Sequence, residues 1–116
     1  MAINVNAYSG STSITTTEYF LPNASTTAAP IASAGLYELF MDLTNLVDGD
    51  IIQLTIYETT VSAGTQVVYD SKQISNQQTI PGYVYPPIIL GNGWNMSLKM
   101  LSATARTVNW RISSVT

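Results

Sequence analysis

From Gly35 onward, apolar and polar residues alternate in short runs, and each run is closed by a turn signal. A period of two places successive side chains on opposite faces of an extended backbone. Leu36–Leu43 sets Tyr37, Leu39, Met41 and Leu43 on one face. Ile51–Thr59 turns Ile52, Leu54 and Ile56 inward and Gln53, Thr55 and Tyr57 outward. Trp94, Met96, Leu98 and Met100 share a face, as do Val108, Trp110 and Ile112. Turns are expected at Asp48-Gly49, Ser62-Ala63-Gly64, Pro81-Gly82, Gly91-Asn92-Gly93 and Ser102–Arg106. Thr65–Lys72 is the natural hairpin partner of Ile51–Thr59, and Gln73–Thr79 reads as a short edge strand or a loop. Pro86 and Pro87 limit two-sided pairing of Tyr83–Leu90 to its second half. No stretch carries a convincing helical period, and Leu36–Leu46 is the one ambiguous segment.

Turn spacings of roughly 8 to 15 residues predict seven to eight short strands in an all-β fold. The architecture expected is an antiparallel β-sandwich, jelly-roll-like because one connection near the start is long. The chain holds no cysteine, so the Cys…Trp…Cys signature of antibody domains is missing. At 116 residues the length fits a single domain that buries roughly 65% of its unfolded surface.

Residues 1–34 differ in character. Ser, Thr and Ala dominate, and Pro22 and Pro30 interrupt. A strand is expected over Thr12–Leu21, where threonines favour the pleated backbone. Residues 22–34 read as an extended arm that lies against another surface, leaving 35–116 as the sandwich module. With few large apolar residues, the arm is expected to gain its order from a partner.

Only 9% of the residues are charged, against roughly 25% in ordinary soluble domains. A neutral polar surface with few repelling charges suits a protein packed against others. The four cations Lys72, Lys99, Arg106 and Arg111 are too few for a phosphate track, so nucleic acid is not expected as a partner. No run has the length of a membrane span. Absent cysteine and an N-terminal segment without a basic, apolar leader point to synthesis in a reducing cytoplasm.

The chain has no histidine to act as a base and no thiol nucleophile. The carboxylates Glu38, Asp42, Glu58 and Asp70 sit where strands face solvent on the simplest reading. Asp48-Gly49-Asp50 lacks the further ligands of a calcium loop and reads as a turn. No enzymatic activity, cofactor or metal is expected. Aromatic and proline residues are the candidates for contact: Tyr8, Tyr19, Phe20, Pro22 and Pro30 near the arm, and Tyr83, Tyr85, Pro86 and Pro87 in the second half. Tyrosine offers apolar area with a hydrogen-bonding tip, which suits interfaces.

The segments GLYELFMDLTNLVDGDIIQLTIYE, TQVVYDSKQ, YPPIILGNGWNMSLKM and RTVNWRIS together resemble the small β-sandwich decoration, or cement, proteins of tailed bacteriophages. The likeness lies in the strand–Leu-x-Asp-Gly-Asp–strand hairpin, the Pro-Pro segment before Leu-Gly-Asn-Gly-Trp and the Trp-bearing last strand. It implies a structural virion protein on the capsid exterior, a homotrimer that binds the major capsid protein and holds neighbouring subunits together. Other roles compatible with the residues are a phage tail, neck or fibre component, an intracellular inhibitor, and a carbohydrate-binding module using Tyr83, Tyr85 or Tyr57.

Overall fold

Eight strands form two four-stranded antiparallel sheets in the computed structural model, which describes residues 2–61 and 63–115. Ser62, and with it part of the expected Ser62-Ala63-Gly64 turn, lies outside the described residues. The strands are β1 (Ile3–Ile14), β2 (Tyr19–Phe20), β3 (Gly35–Asp42), β4 (Ile51–Glu58), β5 (Val67–Ser75), β6 (Gly82–Leu90), β7 (Asn95–Met100) and β8 (Arg106–Val115). The first sheet runs β1-β8-β3-β6 and the second β2-β7-β4-β5. The chain is therefore all-β and sandwich-like. Its pairing is nested: β1 with β8, β2 with β7, β3 with β6, and β4 with β5. The β3–β8 and β4–β7 ladders complete the two sheets.

The core follows the period-two reading. Leu39, Ile52, Leu54, Ile56, Trp94, Met96, Leu98 and Ile112 are fully buried between the sheets. Tyr37 and Trp94 lie with ring centroids 4.4 Å apart, and Tyr8 meets Trp94 edge-on at 6.0 Å. Such contacts add about 0.5–1.5 kcal/mol beyond area burial. The Trp94 indole N–H also donates to the carbonyl of Ser33 at 2.9 Å, which satisfies its polar atom inside the core.

Three expectations need correction. The first strand begins at Ile3 and ends at Ile14; the chain breaks over Thr15–Glu18 before the two-residue β2, so Thr12–Leu21 is not one strand. β1 is an edge strand against β8 with Gly10 beneath Trp110, and it needs few large side chains to hold its place. The Leu46–Asp50 segment is not a hairpin either. β3 and β4 lie in different sheets, so this segment is a corner between layers. Gly49, at φ 96°, takes the left-handed conformation there.

Third, the arm does not stand free. Asn23 clasps Ala29, donating to its carbonyl at 2.8 Å and accepting from its N–H at 3.0 Å. The fully buried Asn95 donates to Asn23 Oδ1 at 2.8 Å. Ile31 donates to the Trp94 carbonyl and accepts from Gly93 N–H at 2.7 Å. Polar side-chain and backbone bonds order this segment where apolar burial is scarce.

The β4–β5 hairpin is present, and β5 extends through Gln73 to Ser75. Pro86 and Pro87 sit on β6, an edge strand, at an irregularity between Tyr37 and Leu39 of its partner, where a missing N–H breaks no ladder.

Candidate functional site: the outer face of the first sheet

The two outward faces of the sandwich differ. On the second sheet the chain covers β7 and the part of β4 beside it, while β5 stays exposed, with Val67, Val68 and Tyr69 at 53%, 58% and 51%. Thr55, Asn95 and Ser97 occupy outward positions, yet they are 8%, 0% and 1% exposed. Glu18 reaches over them: its carboxylate accepts from the Tyr57 hydroxyl at 2.6 Å and from Ser97 Oγ. Phe20 lies against Tyr57, centroids 6.2 Å apart. Burial, then the hydrogen bond to the Glu18 carboxylate, pushes the Tyr57 hydroxyl up to about 12.

The outer face of the first sheet is open. Its register lines up Ile3, Val115, Leu36 and Ile89 across all four strands. Ile3 is 71% and Ile89 79% exposed, so the row ends in two solvent-facing isoleucines. Ile3, Leu36, Pro87 and Val115 line a depression of about 150 Å³ with Glu38 at its rim. Cross-strand neighbours of this kind stand about 5 Å apart, close enough to form one continuous apolar strip.

A second row runs Ser9, Arg111, Phe40 and Val84, and a third Ser11, Asn109, Asp42 and Gly82. The Arg111 guanidinium carbon lies 5.0 Å from the centre of the Phe40 ring, a cation–π contact. Gly82 carries no side chain to crowd the other flank of that ring; a Cβ there would meet it at 3.4 Å. Ser9, Phe40, Asp42, Asn109 and Arg111 border a broader depression of about 410 Å³, lined also by Asn6 and Trp110. Asp42 accepts from both the hydroxyl and the N–H of Thr44, and the hydroxyl bond first of all holds its carboxyl below the usual range. A fixed carboxylate, an amide, a guanidinium and an aromatic ring thus share one shallow surface.

The residues singled out from sequence fall in three groups. Pro30, Pro86 and Pro87 are exposed. Tyr8, Tyr19, Pro22 and Tyr83 are half-buried, and Tyr8, Tyr19 and Tyr83 pack against the core. Phe20 and Tyr85 are buried. Tyr83 and Tyr85 do share a face, but it is the inner one, opposite Met41 and Leu39. Val84, Pro86, Pro87 and Ile89 are the exposed side chains of β6. Tyr85 is therefore no surface anchor, and Tyr57, tied to Glu18, is no open stacking platform. Ile3, Leu36, Phe40, Ile89 and Arg111 were missed. For Leu36, Phe40 and Arg111 the signal was available, each being the outward member of a strand whose inward members are core. Ile3 lies on β1, which turns few large residues inward, and the outward face of Ile89 was set by β6 pairing with β3.

The four carboxylates considered for catalysis do not converge into a cluster of three or more among the described residues. Asp50 is taken up by Arg106 and by Val47 N–H. No family model matches this chain, and no curated protein matches it.

Proposed function

We propose that this chain is a structural binding module that works by laying the open face of its first sheet on a large protein surface. The observation that carries this reading is the asymmetry of the two outer faces. Over β7 and the adjoining part of β4 the second sheet is covered by Glu18, Phe20 and the Asn23–Asn95 bond, with β5 left exposed at its edge; the first sheet presents an apolar strip across all four strands, from Ile3 to Ile89. In its specific form the reading is a decoration protein on the exterior of a tailed-phage head, contacting the major capsid protein. Low charge and the resemblance of the Gly35–Ser113 segments support that form. The strand orders β1-β8-β3-β6 and β2-β7-β4-β5, with nested pairs, support a jelly roll, the topology produced when one long hairpin of eight strands is rolled into two layers.

The test is addition of the purified protein to undecorated heads. The parent is expected to co-sediment with heads and to raise their resistance to heat. Ile89→Lys places a charge on the strip without touching the core and is expected to weaken co-sedimentation by about tenfold or more, the effect of roughly 1.4 kcal/mol. Undiminished binding by a folded Ile89→Lys protein removes this face from the proposal. No binding by the parent removes the capsid.

A second reading has its own observation. Phe40, Asp42, Asn109 and Arg111 bring an aromatic ring and polar groups together over the 410 Å³ depression, which suits a sugar ring. Binding on a glycan array that is lost in Asp42→Asn would favour it.

A further inference from the structure

We infer that the free edge of β1 over Tyr8–Ile14 pairs antiparallel with the same edge of a second copy of this chain. A two-sheet sandwich has four edges, each with a row of unpaired backbone donors and acceptors, and stable monomers blunt all of them. Three are blunted here. β6 carries Pro86 and Pro87. β2 is two residues long, and its Phe20 N–H is taken by the Ser25 carbonyl. β5 carries Asp70 and Lys72, and its ladder is broken between Ile56 and Tyr57 of its partner.

β1 differs. Its irregularity falls between Asn4 and Tyr8, and from Tyr8 to Ile14 it pairs without a break against Ile112–Arg106. Among the described residues, this stretch pairs with β8 alone, and no other backbone hydrogen bond reaches it. It contains no charge and no proline. The free edge extends about 23 Å at the usual antiparallel rise.

The sequence Tyr-Ser-Gly-Ser-Thr-Ser-Ile is suited to its own copy. Full antiparallel overlap puts the two-fold axis at Ser11, sets Ser9 opposite the other copy's Ser13, and brings no like charges together. The residues at outward positions, Ser9, Ser11 and Ser13, are exposed and small. The result is one continuous eight-stranded sheet with an isologous contact, the commonest symmetry among homo-oligomers. A two-fold contact makes a dimer, in place of the homotrimer implied by the resemblance. It is a property of the isolated protein and does not depend on capsid binding.

Sedimentation of the full chain tests it, paired with hydrogen exchange of β1 amides at low and high protein concentration. The parent is expected to sediment as a dimer, with alternate amides of Tyr8–Ile14 slowed as concentration rises. Ser11→Lys sets two ammonium groups against each other on the axis. It is expected to sediment as a monomer with the parent's circular dichroism and Tm, and to lose the concentration-dependent protection. Gln73→Lys, on the exposed part of β5, is the control and is expected to remain dimeric. A parent that is monomeric at high concentration overturns the inference. So does a trimer, or a dimer whose β1 amides exchange at one rate at all concentrations. Should Ser11→Lys misfold, the exchange of the parent alone decides.

Discussion

Tyr85 donates its hydroxyl hydrogen to Asp70 Oδ2 at 2.7 Å, joining edge strand β6 of one sheet to edge strand β5 of the other. The bond closes one open side of the sandwich with a buried phenol and a half-buried carboxylate. It fixes the Asp70 charge, and that bond before any other influence holds the Asp70 carboxyl below its ordinary 3.8. Burial first, then the Asp70 carboxylate, raises the Tyr85 hydroxyl well above its ordinary 10.0.

Tyr85→Phe removes the bond and keeps the ring. It is expected to destabilise the fold by about 1 kcal/mol, discounted for the partial exposure of Asp70. Tyr85→Ala also removes the buried ring and is expected to cost about 3–5 kcal/mol. Chemical denaturation of the two variants checks the order. Equal losses would mean that the hydroxyl, and not the ring, carries the contribution.

The pH dependence follows from the directions of these shifts. Asp42, Asp50 and Asp70 are lowered in the folded state, so their contribution is present above 3.8 and is lost as pH falls through the folded values. Tyr37, Tyr57 and Tyr85 are raised, so theirs is present below 10.0 and is lost as pH rises through the folded values. With no histidine in the chain, no side chain of ordinary pKa titrates between. Tm is expected to be flat from about pH 5 to about pH 9 and to fall on both sides. A slope within that window would contradict the assignment.

Arg106 Nε donates to Asp50 Oδ2 at 2.6 Å and ties the β3–β4 corner to the start of β8. Asp50 is 4% exposed and also accepts from Val47 N–H at 3.0 Å. Removing one member of such a pair leaves the other charge without its partner. Arg106→Gln is therefore expected to lower Tm more than the double variant Asp50→Asn/Arg106→Gln does. Additive losses in the double-mutant cycle would show that the two groups act independently.

Two corner glycines separate backbone cost from crowding. Gly49 has φ 96° and open space around its missing Cβ; Gly93 has φ 80°, and a Cβ there would meet Thr59 Cγ2 and Oγ1 at 3.0 Å. Gly49→Ala is expected to cost roughly 1–2 kcal/mol for the left-handed backbone alone. Gly93→Ala is expected to cost more, since it also displaces Thr59, whose hydroxyl donates to the Asn92 carbonyl. Equal costs by urea denaturation would show that Thr59 moves freely.

Asn95→Ala cuts the tie between β7 and the Asn23–Ala29 clasp. It is expected to cost about 1–3 kcal/mol, because Asn23 loses a buried donor. Limited proteolysis is expected to cleave residues 24–30 faster in this variant. Unchanged cleavage would show that the Ile31–Trp94 backbone bonds alone hold the segment.

Alternation by itself determined the inward faces of β3, β4, β7 and β8, because successive side chains of a strand point to opposite faces. Tyr37, Leu39 and Met41, and likewise Met96, Leu98 and Met100, are core for that reason. It also put Tyr83 and Tyr85 on one face. Which face that was depended on β6 pairing with β3, and the backbone hydrogen bonds of a ladder read no side chains. The division into sheets was decided the same way: Asp48-Gly49 announces a turn whether the chain doubles back or crosses to the other layer. The early strand was hidden because β1 turns few large residues inward, with Gly10 under Trp110. Asn95 and Ser97 read as solvent-facing, and Glu18 and Asn23, distant in sequence, bury them. Period two is a local property, whereas the cover over an outer face, and so the choice of which face stays open, comes from contacts between distant segments that form only when the sandwich closes.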